Sequence, residues 1–393
     1  MIPPLVNRYL EKRGHVAPLV PFEPEPRFHR AVVIPAMAEF HYLAATLNSL
    51  ASNPESMLED TLFLIVINQP SDASPEIVEN NLRTVEMLNN SKLPNLFYLN
   101  TVLEGGVGGA RKLGMDIALT KLDWSVRPLL FCLDADTLTK PNYLQNIAQA
   151  MEKNPQWSGA VVNFNHQLPD DPKLRQAVIE YEFFMRYYVE GLRWAGSPYA
   201  FHSLGSATIC WADEYVRCGG MRIRNGGEDF YFAQSLRKLG EIGFIDSTTI
   251  YPAGRVSSRV AFGTGPRLGK IIEGQALGFY DFGIFIELKQ LFDLVANTPP
   301  TELVEALPSV LRDQTIDFMT SQKFSESWPK ILRNTPANDV ALRAAFHTWL
   351  DGFRTLKLVH HLERTVSAFS RTSFEDAQES VRQYRLDLKF SRD

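Results

Sequence analysis

Asp134 and Asp136 stand two positions apart in LLFCLDADT, residues 129–137, at the exit of an apolar run. In an extended chain, residues i and i+2 project to the same side roughly 7 Å apart, so both carboxylates can face one bound group. Such a pair suits a hard divalent cation whose remaining positions are filled by water and phosphate oxygens. The alternative is an ordinary strand end, because Asp favours turns and Thr137 and Pro141 announce a following helix. A second constellation is EGGVGGARKLG, residues 104–114. Its glycines let backbone approach a ligand, and Arg111 and Lys112 sit at the start of a helix, where phosphate is favoured. A mobile glycine turn is the plainer alternative. The dinucleotide pattern fails because Arg111 stands where its third glycine belongs, and the Gly-Lys-Ser/Thr of a P-loop is absent. The third constellation is NGGEDFYFAQSLRKLG, residues 225–240. Glu228 and Asp229 open a helix there, either as acids favoured by the helix dipole or as a carboxylate general base beside a reacting hydroxyl.

The elements that must hold these groups alternate. AVVIP, TLFLIVIN, NLFYLN, PLLFCLD and GAVVNF are continuous apolar runs separated by amphipathic helical stretches. That alternation predicts an α/β fold with a mostly parallel sheet covered on both faces, and ligand sites beyond the carboxyl ends of its strands. Residues 1–28 are rich in proline, which resists helix, and are expected as an extended lead-in. The α/β domain is placed at residues 29–265. Residues 266–393 show helical period throughout and form a helical C-terminal region.

The 393 residues carry a formal net charge of -5, with 45% hydrophobic and 22% charged residues. No basic surplus draws the chain to nucleic acid or to an anionic membrane. Cys132, Cys210 and Cys218 lack metal or redox spacing and are expected as reduced thiols. Neither a leader sequence nor an apolar stretch of membrane-spanning length is present, so a soluble, cytoplasmic protein is expected. Peripheral contact of the C-terminal helices with a membrane surface remains open, as does docking on a second subunit.

In order along the chain come VVIPAMAE, INQPSD, the glycine-basic helix start, LDADT, GSATICWADEYVRCGG and GGED. Together, over about residues 30–265, these resemble the family 2 glycosyltransferases of GT-A fold. The resemblance implies a nucleoside-diphosphate sugar donor and a hydroxyl acceptor. It sets Pro35, Ala36 and Glu39 on the nucleoside and Arg111 and Lys112 beside the diphosphate. Asp136 is expected on Mg²⁺ or Mn²⁺ with Asp134 near the sugar or ribose. Asp229 is the implied catalytic base and Glu228 its supporting partner. Where the family has acids after the second strand, this chain has Asn68, Gln69 and Pro70. Where a late histidine is common, it offers Arg255 and Arg259, whose guanidiniums can grip a diphosphate. His202 and Trp211 are candidates for the acceptor side. A nucleotidyltransferase is disfavoured because PAMAEF replaces the glycine loop such enzymes carry after the first strand. A catalytically degenerate protein that binds sugar nucleotides or a partner is the remaining alternative.

Overall fold

The apolar runs become strands of one sheet because each can be covered on both faces. In the computed structural model, which describes residues 1–22, 24–25, 27–223, 226–257 and 263–389, β1 (Arg30–Ala36) is buried along its whole length and β2 (Thr61–Gln69) along all but its last residue. The remaining strands are β3 (Leu96–Val102), β4 (Leu129–Cys132), β5 (Leu138–Thr139), β6 (Trp157–Phe164), β7 (Thr208–Trp211) and β8 (Glu241–Tyr251). They form an eight-stranded sheet in the order β3-β2-β1-β4-β7-β6-β8-β5. β1 pairs in parallel with β2 and β4, β2 pairs in parallel with β3, and β6 is parallel to β8. β7 runs against β4 and β6, and β5 against β8. The expected α/β class holds, with two reversed strands in an otherwise parallel sheet.

Helices α1 (Pro4–Arg13), α2 (Phe40–Ala51), α3 (Glu55–Leu58), α4 (Pro75–Asn89), α5 (Gly106–Leu119) and α6 (Tyr143–Lys153) come first. They are followed by α7 (Pro172–Trp194), α8 (Ala212–Arg217), α9 (Glu228–Arg237) and α10 (Thr264–Ile272). α5 is buried from Gly108 to Leu119. It lies so close to the sheet that a Cβ at Gly114 would overlap Val33 of β1 and Val66 of β2. This seats the glycine-rich start of α5 at the carboxyl ends of the central strands.

The extended lead-in is corrected at residues 4–13, which form α1. Pro4 occupies the first helical turn, where a missing N–H is no loss and φ is already suitable. Val6 and Tyr9, three apart, turn one face of the helix into the core. Residues 17–20 then follow without a helix, touching the sheet through a bridge from Val20 to Tyr98.

The chain divides into two compact units, residues 1–178 with 203–272, and residues 179–202 with 273–391. The first contains the sheet. The second is helical, as expected, and comprises the later part of α7 with α11 (Phe282–Asn297), α12 (Leu303–Ala306), α13 (Asp313–Ser321), α14 (Phe324–Asn334), α15 (Asp339–Trp349), α16 (Gly352–Thr365) and α17 (Phe374–Gln383). Its core is aromatic: Phe183 meets Phe279 and Phe374 edge-on, and Phe324, Trp328 and Phe346 form a second cluster. Buried Arg186 donates to the Leu388 and Lys389 carbonyls, tying the C-terminal segment to α7 within this unit. Among the described residues, no helix is long and apolar enough to cross a membrane. The three cysteines are free thiols.

Candidate active site

β4 ends at Cys132, and the next five residues form a loop held by its own backbone. Thr137 N–H donates to the Asp134 carbonyl at 3.1 Å, Thr46 of α2 to the Ala135 carbonyl at 2.8 Å, and Gln167 Nε2 to the Asp136 carbonyl at 2.9 Å. Three anchors from different parts of the unit therefore fix the direction of both aspartate side chains, which are half-buried.

Each aspartate meets an arginine. Arg255, four residues beyond the end of β8, donates through Nε to Asp136 Oδ2 at 2.8 Å, and its Nη2 lies 2.6 Å from the same oxygen. Nη2 also reaches both oxygens of Glu39 at 2.7 and 2.8 Å. The guanidinium lies 4.0 Å from the centre of the Tyr42 ring, a cation–π contact. Arg111, on α5, is only 3% exposed. Its Nη2 donates to Asp134 Oδ1, and its Nη1 to Glu228 Oε1 at 2.5 Å. A Cβ at Gly205, just before β7, would collide with this guanidinium, so glycine there leaves room for it. One arginine thus joins the exit of β4 to the first residue of α9.

Two guanidiniums face five carboxyl groups: Glu39, Asp134, Asp136, Glu228 and Asp229. The surplus of negative charge shows in the protonation of the acids. Burial, reinforced by the charges of Asp134 and Glu39 and opposed by Arg255, pushes the Asp136 carboxyl up to about 6. Burial and the adjacent Glu228 charge, opposed by Arg111, push Asp229 up to about 7. Opposed carboxylates in a low-dielectric pocket retain protons unless a cation intervenes. Asp136 Oδ1 takes part in neither arginine contact, so the donor set fits a hard divalent cation that uses one or two carboxylates and completes its shell with phosphate oxygens and water.

The loop after β1 is held by two asparagines of α4 that the motifs do not include. Asn81 and Asn80 of α4 accept from the backbone N–H groups of Ala38 and Phe40, each at 3.0 Å. Asn81 also donates to the Asn68 carbonyl and to Gln69 Oε1, both at 3.2 Å. The loop after Pro35 and Ala36 is thereby fastened to the exit of β2. Their signal was a pair of asparagines inside the apolar period of α4. Glu104 accepts from Ser71 N–H at 3.1 Å and Oγ at 2.9 Å, which hold its carboxyl below the usual range. An acid therefore does stand at the exit of β2, supplied by the neighbouring strand.

Two sequence candidates, Lys112 and Trp211, lie elsewhere in this unit, and Arg259 lies outside the described residues. Lys112 turns away from Arg111 by about 100°, as successive helical residues must, and its ammonium donates to buried Asp116 at 2.7 Å and to Tyr9 at 3.0 Å. Tyr9, Tyr215 and the His15 N–H also donate to Asp116, so this cluster pins α1 and α8 to α5. Trp211 pairs with Leu129 at the start of β4, the opposite end of the sheet from Asp134, because β7 runs in reverse. It lies under the Arg127 guanidinium at 4.5 Å. His202 belongs to the second unit, where burial and the charges of Arg186 and Arg193 push it down to about 3, leaving a neutral imidazole.

Residues 31–209 match the model of glycosyl transferase family 2. The chain carries a family 2 glycosyltransferase domain. Its mixed sheet flanked by helices, with a helical region following, agrees with the α/β class and the helical C-terminal region expected from the sequence. Solved structures similar to this glycosyltransferase include S. aureus TarS 1-349 in complex with UDP-GlcNAc, at 14% identity and a TM-score of 0.43, with 86% of this chain and 92% of that one covered. Another is the mannosyltransferase PcManGT from Pyrobaculum calidifontis in complex with GDP-Man and Mn²⁺, at 15% identity and a TM-score of 0.40, covering 96% and 84%. No curated protein matches the sequence.

Proposed function

We propose that the domain catalyses inverting transfer of a sugar from a nucleoside-diphosphate sugar to an acceptor hydroxyl, with Asp229 as general base. The observation that carries this reading is the Arg111 bridge, which holds Asp134 of the donor side and Glu228 of the base helix on one guanidinium. Asp229, next in the chain after Glu228, is thereby held near the donor acids, with a carboxyl poised near neutrality. A carboxylate of that basicity accepts a hydroxyl proton as the bond to the anomeric carbon forms. Glu228, paired with Arg111, raises the basicity of Asp229 through its charge.

Pro35, Ala36 and Glu39 take the nucleoside, with the Asn68 and Asn81 contacts shaping their loop, and Asp134 faces the sugar or ribose. Asp136, with Asp134, would hold Mg²⁺ or Mn²⁺, which when bound offsets charge on the departing nucleoside diphosphate. Arg255 supplies a guanidinium to the same diphosphate.

Stereochemistry tests the reading. With an α-configured donor, attack from the Asp229 side displaces the diphosphate from the opposite face. The sugar, whether transferred or slowly hydrolysed, appears first as the β anomer in the ¹H NMR spectrum. An α product from an α donor would overturn the single-displacement mechanism and the role given to Asp229.

A further inference from the structure

Arg255 contacts two acids that the donor reading assigns to different ligand groups: Asp136 for the cation and Glu39 for the nucleoside. Its reach is not incidental, since Nε and Nη2 both lie on Asp136 Oδ2 while Tyr42 supports the guanidinium from below. We propose that Arg255 is the protein's own stand-in for the cation and makes divalent-cation and nucleotide binding interdependent. The inference rests on the donor-site reading and deepens it.

The reasoning is electrostatic. Without a donor, Arg255 neutralises the pair that a divalent ion would otherwise attract. A free ion must either displace the guanidinium from Asp136 or share that carboxylate with it, and two like charges on one carboxylate repel. A nucleoside diphosphate changes the balance. Its oxygens offer the guanidinium planar, bidentate acceptors that match its fork, and they offer the ion further oxygen ligands. Arg255 can then turn toward the diphosphate through Nη1, which takes part in none of its bonds to Asp136 or Glu39. Each ligand thus relieves the obstacle to the other. By linkage, the factor by which nucleotide tightens the ion equals the factor by which the ion tightens nucleotide, typically about 5–150-fold.

The test is Mn²⁺ binding followed by electron paramagnetic resonance, with Mn²⁺ alone and with uridine, guanosine, adenosine, cytidine or thymidine diphosphate. In the wild-type protein, Mn²⁺ alone should bind weakly and at least about tenfold more tightly with the matching nucleotide. In Arg255→Gln, Mn²⁺ alone should bind more tightly than in wild type, and the tightening by nucleotide should shrink severalfold. Arg255→Lys, which keeps the charge without the fork, should retain weak binding of Mn²⁺ alone. Equal Mn²⁺ affinity in wild type and Arg255→Gln would overturn the stand-in role while leaving the donor site intact, as would weaker binding in the variant. Failure of both proteins to bind Mn²⁺ with any nucleotide would overturn the donor-site reading and this inference with it.

Discussion

Asp229→Asn will slow sugar transfer by about 10²–10⁴-fold, the span of a positioned general base, while donor affinity changes little. The amide keeps the shape of the carboxyl but cannot accept the proton. In the wild-type enzyme the rate should climb as pH rises through the Asp229 value near 7, because only the ionised carboxyl acts as base. Stability should respond with the opposite sense. A carboxyl whose folded-state value lies above its unfolded value stabilises the fold fully below about pH 4, and that stabilisation is lost as pH rises through the folded value. At pH 8 the wild-type protein therefore carries the cost of an ionised, half-buried acid, and Asn removes it. Asp229→Asn should melt a few degrees higher at pH 8, with a gain of at most about 4 kcal/mol that vanishes near pH 4. Steady-state kinetics and melting curves across pH check both halves. A variant that loses donor binding together with transfer would count against the base assignment.

The second large effect belongs to Arg111. Arg111→Met fills similar space but leaves Glu228 and Asp134 without their shared cation. Breaking a buried ion pair from one side costs about 3–5 kcal/mol, mostly from the charge left behind. Urea denaturation should show a loss of that size. Adding Glu228→Gln should recover part of it, since the orphaned charge is then absent. If the double variant loses the sum of the two single losses, the two residues are energetically independent and the bridge does not hold the base helix to the donor loop.

The parts of the site that were legible in the sequence depend on short-range rules. Asp134 and Asp136 could be placed because an apolar run ends immediately before them, and parallel strands present their carboxyl ends to ligands. Glu228 and Asp229 could be placed because glycines precede a helical pattern. Partnerships across the chain were not legible. Arg255 and Glu39 meet across 216 positions, and Arg111 and Glu228 across 117. No local period encodes either meeting. Trp211 was misplaced because the direction of β7 depends on pairing with β4, which short strands do not reveal. Lys112 could have been separated from Arg111: the i, i+4 spacing of Lys112 and Asp116 on α5 already offered it another partner. Helix α1 was hidden by prolines that, at a helix start, are no obstacle.

A nucleotide screen by thermal shift bears most directly on the donor site. Uridine, guanosine, adenosine, cytidine and thymidine diphosphates are each added to the purified protein with and without Mn²⁺ or Mg²⁺. A ligand at 100 times its Kd stabilises the folded state by about 2.7 kcal/mol, enough to move the melting temperature by several degrees. The site described above predicts a cation-dependent shift with one nucleoside diphosphate, lost in Asp136→Ala. A flat response to all five, with either cation, would contradict it.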